Sequence, residues 1–248
     1  MDFPGFEGFE QGFAGEKGRR LFYLHRKSNG IPIIFLHGIG GNLNSWNKLA
    51  PLLPANLDVY LVDLLGHGKS DAPGIEYDVM VQVAALERLT RELGITEPTL
   101  FGHSYGGWMA IHYSLRQKTA GLMIEDCAGI ESQQLEIDAA GKRQEYAESL
   151  IGSSLKIGAN EKVIRSAAIN FERYLLTSDI LSKVSSRTFL IWGDDDPFVP
   201  LKFGEQMHEQ IKDSDFLVIP GAGHVPHRTK PKIVAAAISR FYKVPILP

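Results

Sequence analysis

The chain of 248 residues is 44% hydrophobic, enough for one sizeable core and too little for two domains of ordinary size. A formal net charge of −3 with scattered lysines and arginines leaves no footprint for nucleic acid or an anionic membrane surface, and the one cysteine, Cys127, excludes an intrachain disulfide. No stretch approaches the ~20 apolar residues of a membrane span, and the N-terminus has neither the basic start nor the apolar core of a secretory signal, which predicts a cytoplasmic protein.

Phe3, Phe6, Phe9 and Phe13 recur among glycine and glutamate at the start of the chain, a pattern that suits an aromatic edge strand packing on the body, with a flap beside a functional site as the alternative. Short apolar runs then alternate with helical stretches. Ile33 to Leu36 is followed by a helical pattern from Ser45 to Leu53. Val59 to Val62 is followed by Val79 to Leu93, with apolar residues at 79, 83, 86, 89 and 93. Thr99 to Phe101 runs into a helix around Trp108 to Tyr113. Leu122 to Ile124, Phe189 to Trp192 and Phe216 to Ile219 read as further strands, and a last helix covers about Lys232 to Tyr242. Near-continuous apolar strands separated by helices predict an α/β fold with a mostly parallel sheet covered on both faces.

The rhythm breaks between Ile130 and Ser186, where helical patterns (Glu145 to Ile151, Val163 to Leu176) occur without a strand. Long connections of this kind tend to be lids or binding elements. The expected organisation is a core of residues 1–129 and 187–248 with a small helical cap, 130–186, inserted between strands.

Ser104 lies in Gly102-His103-Ser104-Tyr105-Gly106, between a buried strand and a helix. A serine on so sharp a turn sits in a strained backbone, and larger residues at 102 and 106 would collide with it. The strain lifts the hydroxyl above the sheet edge. Such a hydroxyl is a poor nucleophile unless a base lies within reach, oriented in turn by an acid. Both follow at strand ends: Phe189 to Trp192 runs into Gly193-Asp194-Asp195-Asp196-Pro197, and Phe216 to Ile219 into Pro220-Gly221-Ala222-Gly223-His224. Residues just past the carboxyl ends of parallel strands share one edge, where ligands bind.

With these motifs, together with His37-Gly38 after the first buried strand and Asp63-Leu64-Leu65-Gly66-His67-Gly68-Lys69-Ser70, the chain resembles an α/β-hydrolase of the capped branch that holds serine esterases and carbon–carbon hydrolases. The resemblance runs from about Leu21 to Tyr242. It implies Ser104 as nucleophile and His224, rather than His227, as base. It implies Asp196, directly before Pro197, as acid, while Asp126 holds a position that some relatives use instead. The oxyanion donors it implies are the backbone N–H groups of Ile39 and Tyr105. His67 and His103 belong to the matched motifs and are expected to support turns.

The resemblance implies cleavage of a small, uncharged carboxylic ester through an acyl-enzyme, with no cofactor. Two alternatives stand beside it: hydrolysis of a carbon–carbon bond of the meta-cleavage type, and a small-molecule receptor without turnover. Relatives of the first kind commonly have Asn before the nucleophile and Trp after the histidine, where this chain has His103 and Val225. Expected pocket walls are Phe198, Val199 and Val225, with Tyr146, Leu150, Phe171 and Tyr174 from the cap, an apolar lining suited to a small ester or related carbonyl compound. No metal site emerges, because the run Asp194 to Asp196 lacks the spaced ligands and terminal Glu of a calcium loop.

Overall fold

A computed structural model describes residues 4–243, and Phe3 lies outside them. Strand β1, Glu10–Ala14, pairs antiparallel with β2, Leu21–Arg26. The recurring phenylalanines divide here: Phe6 is buried, whereas Phe13 on β1 is half exposed and meets Phe22 edge-on at 5.1 Å between ring centroids. Strands β3 (Pro32–Leu36) and β4 (Asp58–Val62) follow, then helix α1 (Val79–Glu92), capped by the Asp78 carboxylate on the Val81 N–H at 2.8 Å. Next come β5 (Thr99–His103), α2 (Tyr105–Ser114) and β6 (Gly121–Glu125).

Four helices fill the long interval: α3 (Glu131–Ala139), α4 (Arg143–Lys156), α5 (Glu161–Ile169) and α6 (Ser178–Ser182). The chain closes with β7 (Thr188–Gly193), α7 (Leu201–Gln210), β8 (Ser214–Ile219), the one-turn α8 (Pro226–Thr229) and α9 (Pro231–Tyr242).

The eight strands form one sheet in the order β1-β2-β4-β3-β5-β6-β7-β8, antiparallel where β2 meets its neighbours and parallel from β4 to β8. Alternation along the strands sorts their side chains between two cores. Ile34 and Leu36 join Leu86 of α1, Trp108 of α2 and Met207 of α7 on one face. Ile33 and Phe35 join Trp46 and, from α9, Ile238 and Phe241 on the other. Both faces are thereby covered, and near-continuous apolar strands are what that burial requires. Among the described residues no helix is long and apolar enough to cross a membrane.

Two expected helices end differently. The stretch Ser45 to Leu53 forms two 3-10 turns, Leu43–Trp46 and Ala50–Leu52, because Pro51 has no N–H to give and cannot continue a regular helix. The pattern from Val163 stops at Ile169, where the Asn170 amide donates to the Ser166 carbonyl at 2.8 Å. Beyond it Tyr174 takes a left-handed φ of 67°, and Leu176 then forms an isolated parallel bridge with Ile130. That bridge ties the two ends of the long helical interval together.

Candidate active site

The turn after β5 has the strained backbone the motif demands. Ser104 adopts φ 52° and ψ −114°, a region that costs a non-glycine residue roughly 1–3 kcal/mol. Its main chain is held from both sides: the N–H donates to the Glu125 carbonyl on β6 at 2.8 Å, and its carbonyl accepts from Gly107, Trp108 and Ala128. A Cβ on Gly102 would collide with the Gly106 carbonyl, and one on Gly106 with the Leu36 carbonyl. Both glycines are therefore fixed by packing.

Register delivers the other groups to the same edge. Glu125 lies opposite His103, and Gly193 opposite Ile219, so the loops after β5, β6, β7 and β8 emerge together. His224 Nε2 lies 3.0 Å from Ser104 Oγ, and His224 Nδ1 donates to Asp196 Oδ2 at 2.7 Å. The second oxygen of Asp196 accepts the N–H groups of Phe198 at 2.7 Å and Val199 at 3.0 Å. The carboxylate is wholly enclosed, whereas Asp194 and Asp195 are exposed. Asp194 accepts the Gly221 N–H at 2.7 Å and so laces the β7 and β8 turns together.

Asp126 is also fully buried, with Oδ1 accepting the Gly193 N–H at 3.0 Å and Oδ2 without a partner. Burial, reinforced by the neighbouring carboxylates of Glu125 and Asp196, holds its carboxyl well above the usual range and favours its protonated form. The hydrogen-bonded partner of the His224 ring is Asp196.

The loop from His37 to Gly41 is shaped by three imidazoles. His37 donates from Nδ1 to the Gly38 carbonyl at 2.8 Å and accepts the Leu64 N–H at 3.0 Å. His67 donates to the Leu65 carbonyl at 3.1 Å and accepts the Gly40 N–H at 3.2 Å. His103 donates from Nε2 to the His224 carbonyl at 2.6 Å, which links the Ser104 turn to the loop that carries His224. Burial lowers the pKa of His37 to about 3 and of His67 to about 4, and holds His103 well below the usual imidazole range. All three act as neutral rings with one fixed tautomer. Gly40 takes a φ of +72° beneath Ser154, a place for glycine alone. Among the described residues the N–H groups of Ile39 and Tyr105 have no protein acceptor, and both residues line the cavity beside Ser104.

That cavity has a volume of about 240 Å³. Of the wall residues expected from the sequence, Tyr146, Leu150, Phe171, Phe198, Val199 and Val225 line it. Tyr174 does not: it is half exposed, and its carbonyl takes the Trp108 indole N–H at 2.9 Å and His112 Nε2 at 2.6 Å. Its displacement follows from the early end of α5. Burial pushes the Tyr146 hydroxyl up to about 12, assisted by the Asp196 charge, so it stays protonated. The sequence reading missed Ser45, Ser153, Ser154 and Arg228, which also line the cavity. Ser45 and Arg228 carry no local signal, since what brings them there is a contact between residues 182 positions apart.

That contact belongs to a second buried chain. Glu125 accepts the His227 main-chain N–H at 2.9 Å and the ring Nδ1–H, and His227 Nε2 meets Ser45 Oγ at 2.9 Å. Trp46 packs on the His227 ring at 4.3 Å and is fully buried. Two triplets, His103 with Asp126 and His224, and His103 with Glu125 and His227, gather ligand-type atoms within 4.8 Å of one another. Hydrogen bonds to Ser104, Asp196, Glu125 and Ser45 already engage both nitrogens of His224 and of His227.

Residues 33–237 match the sequence model described as the alpha/beta hydrolase family. The chain is 24% identical over 267 residues to an uncharacterized protein of Mycobacterium tuberculosis, covering 90% of this chain and 78% of the relative. It is 25% identical over 249 residues to the 2-hydroxy-6-oxo-6-phenylhexa-2,4-dienoate hydrolase of Burkholderia cepacia, covering 84% and 87% respectively. Among solved structures, an esterase from Exiguobacterium antarcticum superposes with a TM-score of 0.79 at 23% identity, over 94% of this chain and 100% of that one. At that identity the likeness speaks for the fold.

Proposed function

The chain belongs to the alpha/beta hydrolase family, and on that premise we propose that it is a serine hydrolase cleaving a small carboxylic ester with an uncharged acyl group. The observation that carries this reading is the unbroken hydrogen-bonded path from Asp196 through His224 to Ser104. Ser104 attacks the ester carbonyl while His224 accepts its proton, and the N–H groups of Ile39 and Tyr105 receive the developing oxyanion. His224 returns the proton to the leaving alcohol, water enters, and the acyl-enzyme is hydrolysed by the same steps. Asp196 fixes the imidazole tautomer and orientation. Residues 130–186 act as a cap, since Tyr146, Leu150 and Phe171 from this interval wall the cavity.

Likeness to a dienoate hydrolase favours a second reading, cleavage of a carbon–carbon bond by the same triad. His103 before the nucleophile and Val225 after the histidine support the ester.

The experiment is a comparison of purified wild type and Ser104→Ala on a short nitrophenyl ester and a ring-cleavage dienoate, with fluorophosphonate labelling as a check on nucleophile activation. Turnover of the ester, abolished in Ser104→Ala, is the expected result. Labelling without turnover of either compound would point to a receptor, and preferential dienoate turnover to the second reading.

A further inference from the structure

The cavity beside Ser104 is lined unevenly. Tyr146, Leu150, Phe171, Phe198 and Val199 are apolar or aromatic. Around the 40–45 loop the character changes. Ser45 closes the loop against His227, Arg228 follows His227 directly, and Ser154 of α4 lies against Gly40. Arg228 is the one Lys, Arg, Asp or Glu among the lining residues.

Two polar groups on this side are open to a ligand. Ser154 is 3% exposed, lines the cavity and, among the described residues, its hydroxyl makes no hydrogen bond. Its oxygen is open to the cavity, so a group bound there can accept a hydrogen bond from it. Arg228 lies at the exposed rim of the cavity, and its guanidinium has no hydrogen bond or ion pair among the described residues. Its backbone is fixed all the same: the Arg228 N–H donates to the Val225 carbonyl at 3.0 Å, and the preceding His227 is wholly buried and held by Glu125. A planar cation that is always charged, presented with a hydroxyl donor, matches the oxygens of a carboxylate or phosphate.

We infer that this wall binds an anionic oxyacid group, carboxylate or phosphate, on the alcohol part of the ester, while the apolar side takes the acyl group. The assignment to the alcohol follows from the proton path and rests on the ester reading above. His224 must hand its proton to the departing alkoxide, so the alcohol leaves past the loop that carries His224, and Arg228 lies four residues further along that loop. The substrate is thus uncharged only on its acyl side, which narrows the earlier expectation of an uncharged ester.

The test uses three butyrate esters with one acyl group: ethyl butyrate, the butyrate of glycolate and the butyrate of glycol phosphate. At low salt kcat/KM for at least one anionic ester should exceed that for ethyl butyrate by about tenfold or more, the scale of one charge-assisted hydrogen bond. The preference should shrink as salt is raised, and it should fall towards unity in Arg228→Gln and partly in Ser154→Ala. Whichever anionic ester is faster identifies carboxylate or phosphate as the group recognised. Equal or slower turnover of both anionic esters, or a preference untouched in Arg228→Gln, overturns the inference. If none of the three is hydrolysed, the ester reading fails instead. The wall is then tested alone, by protection of Ser104 from fluorophosphonate labelling: benzoate or phenyl phosphate should protect more than benzyl alcohol in the wild type but not in Arg228→Gln, and equal protection rejects it.

Discussion

Glu125 grips His227 at two points, its carboxylate accepting the main-chain N–H at 2.9 Å and the ring Nδ1–H as well. Both side chains are wholly buried. The main-chain carbonyl of the same glutamate takes the Ser104 N–H, and the far side of the His227 ring meets Ser45. One buried pair therefore joins the Ser104 turn, the segment after His224 and the stretch that follows the Ile39 loop. Removing one partner leaves the other buried and unpaired, which costs roughly 3–5 kcal/mol. Glu125→Ala should lose that much in urea unfolding, and Glu125→Gln, which keeps an acceptor for the His227 N–H, distinctly less. A loss below about 1 kcal/mol in Glu125→Ala, the worth of an exposed pair, would show that the pair holds nothing together.

On the proposed triad, Ser104→Ala or His224→Ala should lower kcat by about 10⁶, and Asp196→Asn by about 10⁴, in protein whose fold is checked by circular dichroism. The two single losses should not add in the double variant, because the three groups act as one unit. Ser104→Gly should in addition raise the melting temperature over Ser104→Ala, since φ 52° strains alanine as it strains serine. Retention of ester turnover in Ser104→Ala would remove the nucleophile assignment.

The meeting of Ser104, Asp196 and His224 was legible because each follows an apolar run, and a parallel sheet collects its strand ends without further instruction. Strands β3 to β7 could be read for the same reason: burial on both faces leaves apolar runs too regular to miss, and the edge strand β8, though only partly buried, keeps the run Phe216 to Ile219. Strand β2 mixes Tyr23, His25 and Arg26, all only partly buried, into its run, so its pattern is weaker. Helix boundaries were less legible where a single residue decides them, as Pro51 and Asn170 do. Tyr174 was placed on the pocket wall by extending one helix too far. Ser45, Ser154 and Arg228 are positioned by tertiary contacts alone, and no local pattern announces such contacts.

Asp126 and Asp196 exchange places in the rival account of the acid, and substitution separates them. The raised carboxyl at 126 means that the folded chain holds this proton more tightly than the unfolded chain does. Its contribution to stability is present below the ordinary carboxylate range and is lost as pH rises towards the folded value. Asp126→Asn copies the protonated form and keeps an oxygen for the Gly193 N–H. It should leave kcat within about tenfold of wild type, far from the ~10⁴ loss of a triad acid, and raise the melting temperature at pH 8 more than at pH 5. A collapse of kcat in Asp126→Asn with survival in Asp196→Asn would transfer the role to Asp126.

Stability should also fall on the acid side, for the opposite reason. Burial lowers His37 to about 3 and His67 to about 4, so the folded chain refuses protons that the unfolded chain accepts below about 6.5. Stability supplied by these neutral rings is complete above that pH and is lost as pH falls towards 4, each ring contributing up to about 1.4 kcal/mol per pH unit. Protonation has a local consequence as well, because the ring nitrogen of His67 that would take the proton is the acceptor for the Gly40 N–H, the residue after Ile39. His67→Gln offers a neutral acceptor at every pH. Its unfolding free energy should decline less steeply between pH 6.5 and 4 than that of wild type, by about one ring's share. An identical slope in the two proteins would show that His67 is protonated as readily in the folded chain as in the unfolded one, and that the oxyanion loop does not depend on its neutral form.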